Sequence, residues 1–351
     1  MNTLFKLASY IVVAAFLAPA CFATKLVTYS FRGEARLGAF VDGNVIDLNR
    51  AYTLMLKGRG KERAEAFAAA MVPANMVEFL QGQKDSLDAA LEAMGIVQDL
   101  ARTPHGLERL KQAGVWFTSD EVKLMAPLPN PPHVLAIGLN YRAHIEEVAT
   151  SSSAGTPGQS VATPAPYPIV FTKEGRVIGP GDAVRVPEVV TQPDYEGELA
   201  VVIGKPARNV SREHALEYVA GYTVFNDVTS RDFQNRVSQW TFGKSPDTFS
   251  VMGPYLVLTD EVPNPQTLRI QTRIGTDTLQ DSNTERMIFP VAVLIEYISQ
   301  LMTLETGTVI ATGTPEGVGM ARTPPRWLKP GETVVVEIEN IGELASPIQK
   351  E

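Results

Sequence analysis

Residues Pro193 to Gly204 read PDYEGELAVVIG. The run LAVVI has the apolar, β-branched character of a buried strand, and the period-2 geometry of a strand sends Glu196 and Glu198, at its head, to the same face. Two carboxylates side by side in a sheet repel each other. They are tolerated where water solvates the face, or where a cation draws them together, and an all-oxygen ligand set suits Mg²⁺, Mn²⁺ or Ca²⁺. Acids are mostly exposed, so the pair alone implies only a solvated strand.

Working outward, four further segments change that reading. Upstream lies GLNYRAHIEE at Gly138 to Glu147; downstream come FNDVTSRDFQ at Phe225 to Gln234, FGKS at Phe242 to Ser245 and ATGTPEGVG at Ala311 to Gly319. With YEGEL, these segments in this order resemble the fumarylacetoacetate hydrolase family, and a looser match over Lys25 to Asp47 extends the resemblance to nearly the whole chain. The resemblance implies an α+β fold: a mixed β-roll catalytic domain preceded by a small α/β N-terminal domain, assembled as a homodimer. It also implies metal-dependent chemistry on 2-oxo or 1,3-dicarbonyl acids such as acylpyruvates and fumarylacetoacetate.

Carried over residue by residue, the resemblance makes Glu196, Glu198 and Asp227 the metal carboxylates, with Mg²⁺ the expected ion and Mn²⁺ or Ca²⁺ the alternatives. Cleaving a C–C bond beside a carbonyl leaves an electron pair on an enolate, and a chelated divalent cation is the natural sink. His144 is the candidate general base, because an imidazole titrates near neutrality. Glu147, one helical turn on, would orient the ring. Ala143 departs from the acid that the family commonly carries there. Lys244 and Lys173 are the expected cations for developing negative charge or a substrate carboxylate. Arg231 and Gln234 would hold substrate oxygens or the attacking water, the Arg fork being suited to a carboxylate. Thr314, in the TGTP turn, and Tyr141 complete the expected substrate contacts. His105, His133 and His214 have no such partners in the sequence.

The chain has 351 residues, 44% of them apolar, enough for a sizeable core in one large domain or two. Its formal charge of −8 offers no basic face for nucleic acid. Residues 1–23 differ from the rest. Lys6 is followed by an apolar run from Leu7 to Leu17 and by small residues at Ala18, Ala20 and Ala23, the pattern of a secretory signal peptide. An exported, periplasmic protein with no membrane span after cleavage is therefore expected. Cys21 is the only cysteine, which argues against an intrachain disulfide and a thiolate zinc site. It also stands where a lipoprotein would carry its acyl group, although Leu17-Ala18-Pro19-Ala20 fits that signal badly.

In chain order, Lys25 to Leu48 alternates around Asp42-Gly43, a hairpin signal. Lys61 to Met71, Met76 to Gln81 and Leu87 to Met94 show helical spacing, with Phe67, Met71, Leu87, Leu91 and Met94 as the apolar positions. The proline-rich APLPNPPH at Ala126 to His133 marks a junction, which places domains at 24–120 and 121–351. Residues 149–168 carry four prolines and no charge, the composition of a flexible insertion, either a surface excursion or a lid. Helices are expected over Ser211 to Val219, Thr229 to Val237 and Pro290 to Thr303, the last with Leu301 on its packed face. Gly243-Lys244-Ser245 suggests a phosphate loop, but the glycine required six residues before Lys244 is Ser238.

The leading expectation is thus a metal-dependent C–C bond hydrolase. Its alternatives are a decarboxylase or isomerase of 2-hydroxymuconate-type diacids, and an exported 2-oxo acid binder without catalysis. Mass spectrometry of the exported chain is expected to show an unmodified N-terminus near residue 24; a diacylglyceryl Cys21 would overturn simple release.

Overall fold

The structure is a computed structural model that describes residues 25–151 and 163–351. The signal peptide assigned to residues 1–23, and most of the 149–168 insertion, lie outside the described residues. Asp42 and Gly43 both have positive φ, 48° and 78°, as a two-residue hairpin turn demands. They join strand Glu34–Val41 to strand Asn44–Asp47, and Lys25–Phe31 pairs antiparallel on the other side of Glu34–Val41. Five helices follow before strand Trp116–Thr118 returns beside Asn44–Asp47. Three of them, Ala64–Met71, Met76–Gln81 and Gln83–Ala101, lie where the spacing put them. The other two, Leu48–Gly58 and Pro104–Gln112, escaped the periodicity reading although both are capped: Asp47 accepts from the Arg50 N–H, and Thr103 from the Gly106 N–H. The packed face is also different. Phe67 and Leu91 are exposed, and Ala64, Ala68, Ala89, Ala90 and Ala93 are buried instead, because small side chains let these helices approach closely.

Lys25–Phe31 continues into the strands of the C-terminal part, with Leu26 opposite Leu256. A twelve-stranded sheet results among the described residues. From the N-terminal side its path runs through Ser250–Leu258, Val219–Asp227, Gly197–Ile203, Val309–Ala311, Val134–Gly138 and Ile169–Thr172. Most pairs are antiparallel; Val309–Ala311 runs parallel to Val134–Gly138. A second sheet holds Asp277–Asn283, Arg269–Ile274, Thr333–Ile338, Gly342–Lys350 and Val184–Val186. Leu199, Val201 and Ile203 of the first sheet pack with Ile270, Val334 and Val336 of the second in one core cluster. This is the expected α+β mixed roll. Gly197 sits where the second sheet passes closest: a Cβ there would overlap Thr272 Oγ1 and lie 2.9 Å from Val336 Cγ1.

Several local expectations need correction. The helix expected over Thr229 to Val237 shrinks to Arg231–Gln234, because Thr229–Ser230 pairs with Pro193–Asp194 as a short ladder. Ser211 to Val219 becomes a 3₁₀ turn, Arg212–Tyr218, without a side-chain cap from Ser211. Helix Val291–Ser299 ends before Leu301, which is exposed. The helix beginning at Arg142 runs to Thr150, so the insertion starts later than position 149. Among the described residues, no helix is long and apolar enough to cross a membrane.

Leu199 is fully buried at the centre of the first sheet. Leu199→Ala is expected to cost about 2–5 kcal/mol in urea unfolding, since the rigid two-sheet core cannot collapse around the lost volume.

Candidate active site

Strand register assembles the acidic cluster. Gly197 lies opposite Asn226 and Glu198 opposite Phe225, and the Asp227 N–H donates to the Glu196 carbonyl at 2.8 Å. Asp227 therefore stands directly across the ladder from Glu196, on the face that Glu196 and Glu198 share. One ligand oxygen from each of the three lies within 4.8 Å of the others, and all three side chains are buried. The Asn226 side chain accepts from the Glu196 N–H at 3.0 Å and fixes the start of the strand.

Lys244 Nζ bridges Glu196 Oε2 at 2.6 Å and Asp227 Oδ2 at 2.8 Å. Arg231 Nη2 lies 2.6 Å from Glu196 Oε1, and Lys173 Nζ bonds Asp227 Oδ1 and the Val228 carbonyl. Burial works against the Glu196 carboxylate, but Lys244 and Arg231 outweigh it and hold its pKa down at about 2. Burial lowers Lys173 despite Asp227, whereas in Lys244 the attraction of Asp227 and Glu196 outweighs burial and raises it. Among the described residues Glu198 has no ion pair. The Gly313 N–H donates to it at 2.8 Å, and burial together with Asp227 and Glu196 outweighs the more distant Lys244 and pushes its carboxyl well above the ordinary glutamate range. A buried carboxylate short of positive charge, beside two others on one face, fits a divalent cation held by oxygen ligands.

His144 lines the adjoining cavity, and its Nδ1 lies 2.8 Å from Glu147 Oε1. With Nδ1 carrying the proton toward Glu147, Nε2 is left as the basic nitrogen. Glu147 is held in turn by the Gly317 N–H at 2.7 Å. The cavity, about 50 Å³, is also lined by Glu196, Arg231, Gln234, Lys244, Thr314 and a wall of apolar side chains. Asn140 locks the GLNY segment to the TGT turn: its Nδ2 donates to the Thr312 carbonyl at 2.7 Å and its Oδ1 accepts from the Phe289 N–H at 2.8 Å.

A family model described as fumarylacetoacetate (FAA) hydrolase, C-terminal, matches residues 133–349. The chain belongs to the fumarylacetoacetate hydrolase family. It is 37% identical to a protein named oxaloacetate tautomerase fahd2, mitochondrial, of Xenopus laevis, over 87% of this chain and 83% of that one. It is 45% identical to oxaloacetate tautomerase YisK of Bacillus subtilis, over 66% of this chain and 75% of that one. Among solved structures, fumarylacetoacetate hydrolase from Exiguobacterium antarcticum superposes with a TM-score of 0.69 at 30% identity, covering 93% of this chain and all of that one.

Within this family frame, the expected residues fall into two groups. His144, Gln234, Arg231, Lys244, Thr314 and Glu196 meet around the cavity. Tyr141, Glu147, Lys173, Glu198 and Asp227 do not line it. Tyr141 is fully buried with its hydroxyl unpartnered, and Lys173 sits behind Asp227. The Thr314 hydroxyl is already engaged, donating to the Gly197 carbonyl at 3.0 Å and accepting from Gln280 at 2.8 Å. His214, given no partner by the sequence reading, pairs with Glu217 at 2.7 Å on the surface. Trp240, Leu139 and Met320 line the cavity without having been singled out, and Asp194, buried behind Arg231, was missed as well.

The raised Glu198 carboxyl fixes a pH dependence. An unfolded glutamate loses its proton near pH ~4.3 while the folded one keeps it, so folding stability without metal falls as pH rises through that window. Ion binding needs the carboxylate, so stabilisation by millimolar Mg²⁺ or Mn²⁺ is expected to be larger near pH ~8 than near pH ~5. Scanning calorimetry measures it, with Glu198→Gln expected to flatten the difference; equal Tm increments at both pH values would place the ion elsewhere.

Proposed function

We propose that this chain interconverts the enol and keto forms of a small 2-oxo diacid of the oxaloacetate class. The observation that carries the reading is the His144–Glu147 pair, a base with its oriented carboxylate, set in a cavity beside the acidic triad. The names borne by the Xenopus and Bacillus relatives support the substrate class.

Glu196, Glu198 and Asp227 would hold a divalent ion, Mg²⁺ being our choice for an all-carboxylate set. Bound there, it would supply Lewis-acid stabilisation of negative charge on the 2-oxo oxygen. Arg231 and Lys244 face the cavity as fixed cations that can receive the substrate's carboxylates. Gln234, whose Oε1 accepts from Arg231 Nη1 at 2.9 Å, keeps its amide N–H₂ for a substrate oxygen. His144 Nε2 takes the proton from the carbon next to the carbonyl. The C–H electron pair becomes the C=C bond, the carbonyl π pair moves to oxygen, and a proton returns to that oxygen; the reverse order gives the keto form. Glu147 stabilises the imidazolium formed between the two transfers.

A second reading keeps these residues and has His144 activate water to cleave a C–C bond in an acylpyruvate- or fumarylacetoacetate-like acid. The likeness to the Exiguobacterium hydrolase favours it. Products separate the two: decay of enol absorbance with no new acid belongs to tautomerisation, and conversion of an acylpyruvate into pyruvate and a second carboxylic acid to hydrolysis. With freshly dissolved oxaloacetate, His144→Ala is expected to slow enol decay by about 10²–10⁴-fold while still binding Mn²⁺. A variant as fast as the parent would refute the role of His144.

A further inference from the structure

Two carboxylates, one paired with His144 and the other with Arg231, are gripped by one short stretch of backbone. The N–H groups of Gly317 and Val318 donate to Glu147, at 2.7 Å to Oε2 and 3.5 Å to Oε1. The next two, of Gly319 and Met320, donate to Asp194, at 2.7 Å to Oδ1 and 3.0 Å to Oδ2. Asp194 also accepts from its neighbour Tyr195 N–H at 2.9 Å and from Arg231 Nε at 2.9 Å. Its lone-pair sites are thereby filled, yet burial, with Glu196 adding to it, outweighs Arg231 and the Met320 N–H and raises its pKa. The strip is clamped from the other side too: Val318 and Met320 pack on Val148 of the His144 helix, and Ser151 Oγ donates to the Met320 carbonyl at 2.8 Å. Gly319 is required by this closeness, since a Cβ there would sit 2.5 Å from Asp194 Oδ1.

We infer that Asp194 is a positioning residue that acts in two directions. It sets the Arg231 guanidinium, whose other nitrogens reach Glu196 and Gln234. Through the strip it also sets the height of Glu147, and hence of the His144 ring. The base arm and the cation arm of the site are thus held in register by four consecutive backbone N–H groups. The inference rests on the proposed use of His144 as the base, but its structural half can be read without turnover.

In the full chain, Asp194→Asn removes the charge and keeps the shape. With circular dichroism unchanged, it is expected to lower kcat for enol decay by about 10–100-fold, the usual scale for groups that orient a reacting residue. It should also broaden the downfield proton resonance of His144 Nδ1–H, a readout that needs no activity. Combined with Glu147→Gln, its loss should be well short of the product of the two single losses, because both act through the same strip. If Asp194→Asn does not fold, the coupling is read from the other end. Glu147→Gln should then speed amide hydrogen exchange at Gly319 and Met320 by about tenfold, as well as at Gly317 and Val318. Wild-type kcat with an unchanged His144 resonance in Asp194→Asn would overturn the inference. So would exchange that quickens only at Gly317 and Val318.

Discussion

Asp194, Glu196, Glu198 and Asp227 are all buried within one small region, and their mutual repulsion in a poorly solvated interior is the constraint that the surrounding structure answers. Arg231, Lys244 and Lys173 return three positive charges to that space, each in direct contact with at least one of these carboxylates. Backbone N–H groups of Gly313, Gly319 and Met320 supply more. Even so, the account stops one charge short, at Glu198. A buried carboxyl disfavoured as an anion, next to two further carboxylates, is a place where a divalent cation could bind with much of its desolvation cost already met by the fold.

The backbone shows the same demand. Bringing carboxylates from two strands together needs a ladder in strict register, which the Gly197–Ile203 and Val219–Asp227 pair provides. Bringing turns and the second sheet up against that ladder needs residues without side chains. Gly197 admits Thr272, and Gly313, with φ of 96°, presents its N–H to Glu198 while a Cβ would lie 2.7 Å from that of Asn140. Glycines that read as composition in the sequence are, in the structure, the places where one segment passes within reach of another.

That distinction explains what was legible in the sequence. Period-2 spacing was enough to put Glu196 and Glu198 on one face, and the family's motif order supplied Asp227, His144, Lys244 and Arg231, because each lies within a short quoted segment. Asp194 shared the same signal. It stands two residues before Glu196, in phase with it, and could have been read as the third acid of the face. Tyr141 and Lys173 lie outside the cavity lining for the opposite reason: a motif gives a neighbourhood, but only the packing decides which members reach the open side and which stand behind it. The Thr229 to Val237 helix failed because the local pattern could not register the Pro193–Asp194 strand competing for Thr229 and Ser230. The buried alanines failed because hydrophobic spacing weights large side chains, whereas closely packed helices select small ones.

The walls of the cavity bear on which reaction the site favours. Ile137, Leu139, Val148, Trp240 and Met320 share the lining of the cavity with His144 and with the polar side chains of Glu196, Arg231, Gln234 and Lys244. Hydrolysis requires a water placed next to the base and within reach of a carbonyl carbon. Tautomerisation requires a base that can take a proton from carbon and give it back without losing it to solvent. On the proposed reading, the apolar members of the lining would work against the first, because they hold no water, and would leave Gln234 as the side chain able to position one. The charged half of the site serves either chemistry equally, since both pass through negative charge on the same oxygen. On the proposed reading, the choice between them lies with uncharged side chains: the apolar lining, which would favour proton transfer, and Gln234, which could hold a water.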